Sequence, residues 1–204
     1  HPYGHSTIGS MADLDAASMD TVRGWFKQHY GPNNAVLVLA GDIDAKTAKP
    51  LVQKYFGSIP AGPKQEKLTI SVPDLAAAKT EVMKDRVANT RLYRYWTVPG
   101  MDSADSTALD VGAMVLGGLA SSRLDNALVR EQKVATSVSA GYQEFAQMGW
   151  FEVTADVKAG EDVAAVSQKL DAVIADFVKN GPTEDEVKRV QMRTVSGRLA
   201  GLES

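Results

Sequence analysis

The stretch ATSVSAGYQEFAQMGWFEVTADVKAGEDVAAVSQKLDAVIADFVKN, residues 135–180, decides the fold class. Phe151, Val153, Ala155 and Val157 alternate with Glu152, Thr154, Asp156 and Lys158. A period of two puts one set on a buried sheet face and the other in water. Ala135–Phe145 supplies a second strand, so the segment begins as a hairpin. From Glu161 the spacing changes. Val163, Val166, Leu170, Val173, Ile174 and Phe177 fall on one stripe of a helix spanning residues 161–180. Gly181 is placed to end it.

Working outward, Thr183–Glu186 reads TEDE, a capping box with Pro182 just before it. The helix it opens has acids in its first turn and Lys188, Arg189, Arg193 and Arg198 later, which suits the helix dipole. Upstream, a helix starts at Asp102 or Ser103 and runs to about Leu116. Gly117-Gly118 break it, and Ser121 or Ser122 caps another helix to about Gln132. Lys79–Val87 and Thr90–Val98 read as two strands around an Ala88-Asn89 turn, with Pro99-Gly100 ending the second. Paired strands beside paired helices give an α+β fold, with helices layered on one face of a mainly antiparallel sheet.

The N-terminal part follows the same grammar. His1–Ser10 is rich in Gly, Pro and small polar residues and reads as a loop. Ser18 caps a helix to about Tyr30, with Val22, Phe26 and Trp25 as its core-facing residues. After Gly31–Asn34, the run AVLVLAG (Ala35–Gly41) is short, apolar and uncharged, as a buried strand would be. Asp44 caps a helix through Tyr55, which Pro50 kinks or whose start it moves. Gly57–Pro73 is dense in Pro and Gly, so it is the expected linker between a first domain, residues 1–60, and a second, residues 74–204.

With 204 residues, 44% hydrophobic and 23% charged, the chain can bury a sizeable core. A net charge of −3 and no basic run argue against nucleic acid as a partner. No apolar stretch approaches the roughly 20 residues of a membrane span. There is no cysteine, which excludes disulfides and thiol nucleophiles and fits bacterial periplasm and cytoplasm equally.

Residues that could carry chemistry are few. The histidines are His1, His5 and His29. His1 and His5 share a helical spacing, but Pro2 and Gly4 mark a loop, and no acid lies between them. His29 is placed to meet the last carbonyls of its helix. Asp42 and Asp44 are explained by a turn and a helix cap. Gly117-Gly118 lack the rest of a phosphate loop and a preceding strand, and no serine sits in G-x-S-x-G. Arg130 lies beside Glu131 on a helix, where a solvated or ion-paired arginine accounts for it.

GPNNAVLVLAGDID (Gly31–Asp44) and GGLASSRLDNALVREQ (Gly117–Gln132), in this order and spacing, resemble the inverzincin zinc peptidases of the pitrilysin and insulinase type, which include mitochondrial processing peptidase. The likeness runs from HPYGHSTIG (His1–Gly9) to the capping box. It implies a half built of two similar α+β domains, the first carrying H-x-x-E-H and a later Glu as zinc ligands. None of these is present here, and HPYGH normally follows them. With His1 rather than Met at the start and no closing element after the last helix, the chain is expected to be a fragment. It would hold the tail of the first domain and an incomplete second one.

The resemblance further implies a substrate-binding Arg and Tyr in the second domain. Arg130 matches the Arg, whereas Thr136 stands about where the Tyr would be. The expected parent is a zinc metalloendopeptidase acting on peptides, whose missing upstream domain and second half are partners of this fragment. Zinc would polarise the scissile carbonyl there; none is expected in this chain. The alternatives are an inactive binding or assembly subunit of the same fold and an unrelated α+β ligand-binding module. Strand AVLVLAG, cut from its sheet, is expected to drive self-association into a homo-oligomer.

Overall fold

The computed structural model describes residues 4–66, 71 and 75–203. The chain divides into two compact units, residues 1–73 and residues 74–204.

The second unit is built on a three-stranded antiparallel sheet, order β1-β3-β2, with β1 at Arg91–Pro99, β2 at Ala135–Glu144 and β3 at Met148–Val157. The hairpin anticipated from the alternating pattern is β2–β3. Its register sets Val153 opposite Arg94 and Ala140, and Ala155 opposite Leu92 and Val138. Val153, Ala155 and Val157 are buried, while Thr154 and Asp156 stay partly exposed. Helix α5, Val163–Asn180, covers the buried face with Val166 and Leu170. Leu124 and Leu128, both fully buried, complete the layer from a neighbouring helix. Each such leucine contributes on the order of 1.5–3 kcal/mol.

Local sequence explains the boundaries. Asp162 caps α5 by accepting a hydrogen bond from Ala164 N. The helix ends at Gly181, whose φ of +67° suits glycine. Thr183 and Glu186 form the capping box of α6, Glu184–Leu202. On the inner face, Arg94 reaches across to α5 with two bonds to Asp171, 2.8 and 3.0 Å, and one to Ser167, 2.7 Å.

Three expectations need correction in this unit. Residues 79–87 form no strand, and Val82 and Met83 are 84% and 91% exposed. A strand is held by a ladder to a neighbour, and no described strand pairs with this segment. Helix α4 is Ser106–Ala113 rather than starting at 102 or 103, because a turn closed by Ser103 N to Gly100 O and Ser106 N to Ser103 O precedes it. Gly117 and Gly118 do not break the helix outright. They lie in a π-helical turn, Met114–Gly118, from which the chain leaves at Leu119. Gly117 is pressed onto β2, so that a Cβ there would sit 2.4 Å from Ala140 N.

The first unit contains α1 (Met11–Ala16), α2 (Met19–His29) and α3 (Ala45–Phe56). Ser18 and Asp44 cap α2 and α3 as the sequence predicts, accepting from Thr21 N and Thr47 N. Helix α3 runs unbroken through Pro50. The run 35–41 forms no strand, and Val36 and Val38 are 90% and 79% exposed. Trp25 and Phe26 are likewise exposed. Strand and core both need an opposing layer, and the described residues of this unit supply none. Asn33 clasps Gly62, and Gln65 donates to Gln28 O at 2.6 Å, so hydrogen bonds carry the unit past residue 60 to Gln65. The expected linker continues from there through 67–70 and 72–73, which lie outside the described residues.

Gly117→Ala should destabilise the chain by about 2 kcal/mol, because the added methyl meets backbone that cannot give way. Equilibrium denaturation checks this; an unchanged midpoint would contradict the close approach.

Candidate functional site

Ser122, buried at the start of the helix spanning residues 123–131, accepts a long bond of 3.4 Å from Asp125 N. The next residue, Arg123, is the most heavily engaged side chain of the unit. Its Nε and Nη2 donate to the two oxygens of Glu186 at 2.8 and 2.9 Å. Nη2 also donates to Gly181 O at 2.7 Å, and Nη1 to Asp176 at 3.3 Å. The guanidinium lies 5.2 Å from the Phe177 ring centre. Glu186 simultaneously accepts from Thr183 N at 2.7 Å. The Arg123 hydrogen bonds pull the Glu186 carboxyl down to about 2, against the opposing effect of its burial. Nothing in the sequence pattern singled out Arg123, because its partners lie 53 to 63 residues away.

Arg130 sits on the π-helical segment Asp125–Glu131. In that register residues five apart align, so Arg130 pairs with Asp125 rather than with adjacent Glu131. Nε donates to Asp125 Oδ2 at 2.5 Å and Nη2 to Ala120 O at 2.6 Å. The Arg130 side chain remains 59% exposed. Thr136 occupies a register shift at the start of β2, its hydroxyl 3.4 Å from Asp156 O. No hydrogen bond joins Arg130 and Thr136 among the described residues.

The sheet face away from the helices is polar and aromatic. Arg91 forks onto Asp156 with bonds of 2.6 and 2.8 Å, and Ser137 donates to the same carboxylate at 2.7 Å. Arg91, and secondarily Ser137, hold the Asp156 carboxyl below its ordinary range. Ser139 and Thr154 share a 2.7 Å bond. Tyr93 and Tyr95 stack beside them, ring centres 5.8 Å apart. The alternation marked this face as wet but could not pair its members.

Among the described residues no group of His, Cys, Asp and Glu is placed to hold a metal ion. His5 is exposed in a bend, and His1 lies outside the described residues. His29 does not cap its helix; Gln65 takes that carbonyl role, and His29 Nδ1 donates to Gln65 Oε1 at 2.9 Å. Asp44 is a helix cap.

The peptidase M16 inactive domain matches residues 16–194. The chain belongs to the peptidase M16 family. The family likeness drawn from the segments around Gly31 and Gly117 is thereby shown, and so is the α+β peptidase fold. A zinc protease of Helicobacter pylori is 24% identical to this M16 chain over 207 residues, covering 100% of it and 47% of the relative. An uncharacterized zinc protease of Mycobacterium leprae is 28% identical over 210 residues, covering 100% and 46%. The crystal structure of a protease from Helicobacter pylori shares the fold with a TM-score of 0.82 at 24% identity, covering 100% of this chain and 50% of that one. A peptidase M16 inactive domain from Pseudomonas fluorescens gives 0.70 at 22% identity, covering 99% and 50%. The M16 chain spans about half the length of the curated relatives it matches.

The Arg123–Glu186 pair sets an acid limit on the fold. Glu186 titrates near 2 when folded and near its ordinary 4.5 when unfolded. Its contribution is complete above 4.5 and is lost as pH falls toward 2. Glu186→Gln should cost about 2–3 kcal/mol at neutral pH, because it strands most of a buried guanidinium's charge. It should also flatten the stability profile below pH 4.5. Denaturation midpoints across that range test both; an equally steep acid limb in the variant would contradict the assignment.

Proposed function

We propose that this chain is the zinc-free portion of one half of a peptidase chamber, in a longer zinc-dependent metalloendopeptidase. On this reading residues 1–60 are the C-terminal part of the first, catalytic domain and residues 74–204 belong to the second domain. One observation carries it: the inactive domain matches residues 16–194, in a chain whose curated relatives include several named zinc proteases. Among the described residues no group of His, Cys, Asp and Glu could hold a zinc ion, so no catalytic step is assigned to them. Metal and general base would come from the rest of that first domain, and the second half would close around the peptide.

Arg130 is the candidate contact to substrate. Asp125 and the Ala120 carbonyl occupy its Nε and Nη2, leaving Nη1 for a peptide carbonyl. With Thr136 in place of a tyrosine, the second donor that would position a tetrahedral oxyanion is missing. That absence also supports a second reading, a non-catalytic binding or assembly subunit of the same fold.

The purified longer protein should bind zinc and cleave peptides in a chelator-sensitive way, while the 204-residue chain does neither. A longer protein with no zinc and no cleavage would favour the assembly reading. In the active longer protein, Arg130→Ala should lower turnover less than about tenfold, short of the roughly hundredfold loss of a true oxyanion donor. Steady-state kinetics with zinc content and folding verified decide it.

A further inference from the structure

The open sheet face carries one acid that no interaction described above uses. Glu152 on β3 lies on the same face as Trp150 and Thr154, with cross-strand neighbours Tyr95 on β1 and Gly141 on β2. Gly141 leaves the β2 row without a side chain between Ser139 and Gln143, and a Cβ built there would meet nothing within 4 Å. A notch results. Gly141 is its floor, Glu152 its wall, and Trp150 closes one end, its ring steadied edge-on by Phe145 at 4.9 Å.

Among the described residues the charge in this notch meets a neutral hydroxyl, that of Tyr95, and no cation. Asp156, the other acid of the face, is neutralised by Arg91. No ion pair reaches Glu152 among the described residues. Lys158 is six residues along the strand, roughly 20 Å away at 3.3 Å per residue. Tyr95 is that neighbour: although its residue surface is 55% exposed, its hydroxyl is pushed up to about 12, by burial first and then by its hydrogen bond to Glu152. A carboxylate beside open space and an indole 39% exposed is the pairing that attracts a cation by both charge and ring face.

We propose that this notch is a subsite for one cationic side chain, arginine or lysine, of an extended peptide lying across the open face of the sheet. The proposal rests on the reading that the chain meets peptide, and it names the side chain the face selects. An exposed ion pair and an exposed cation–π contact are each worth a few-fold in affinity, so together about tenfold.

The test needs no zinc chemistry, so it stands apart from any assay of peptidase activity. A fluorescently labelled, otherwise uncharged peptide carrying one arginine, and the same peptide with citrulline instead, are titrated with the chain and followed by anisotropy. The arginine peptide should bind about tenfold more tightly. Glu152→Gln, an isosteric change on an open face, should remove the difference. Gly141→Val, which fills the notch with a residue suited to a strand, should remove it as well. Glu144→Gln should leave it intact. Equal affinities, no binding of either peptide, a difference that survives either notch variant, or one that Glu144→Gln also abolishes would overturn the subsite. Loss of the subsite with zinc-dependent cleavage intact in the longer protein would leave the peptidase reading standing.

Discussion

The Arg123 guanidinium holds the helical layer of the second unit together. It draws on Glu186 at the start of α6, on Gly181 O and Asp176 at the end of α5, and on the ring of Phe177. Both charged side chains are largely buried, 18% and 16% exposed. A pair this desolvated repays its burial only when further hydrogen bonds support it. Here Gly181 O and Asp176 also accept from Arg123, and Glu186 accepts from Thr183 N, so one carboxylate serves as helix cap and counter-ion together. Leu124 follows Arg123 directly and is fully buried, which ties the polar clasp to the apolar core beneath it.

The sheet depends on that layer on one side only. Its inner face is closed by Leu124, Leu128, Val166 and Leu170, and Arg94 pins β1 to α5. The outer face is left to polar pairs and aromatic rings. Hydroxyls, a neutralised Arg–Asp fork and stacked tyrosines satisfy one another there without forming a hydrophobic surface, so the face can meet a polar ligand without first collapsing on a neighbour. The two π-helical turns are packing solutions of the same kind. One lets Gly117 touch β2, and the other brings Asp125 under Arg130. In both, the wider turn moves a residue to where the sheet or an ion pair needs it.

The first unit shows the opposite balance. Its helices are well capped, yet Trp25, Phe26, Val36 and Val38 remain exposed. Capping is local and needs only the residues of one turn, whereas burial needs an opposing layer. The chain matches about half the length of relatives that share the family.

Much of this was readable in the residues themselves. Ser18, Asp44, Thr183 and Glu186 announce their helix caps because a side-chain acceptor three residues from a free amide is a local arrangement. Phe151 to Lys158 announce a half-wet strand, and Gly181 the end of α5, for equally local reasons. The order of Gly31–Asp44 and Gly117–Gln132 was sufficient to suggest the family. What the residues could not show was everything that depends on distant partners. The fork of Arg123 onto Glu186 spans 63 residues, and that of Arg91 onto Asp156 spans 65. The failure of residues 35–41 and 79–87 to become strands has the same origin. An apolar or alternating run states that it can be a strand, but a strand is a relation between two segments, and its backbone amides are satisfied only where a second segment lies alongside.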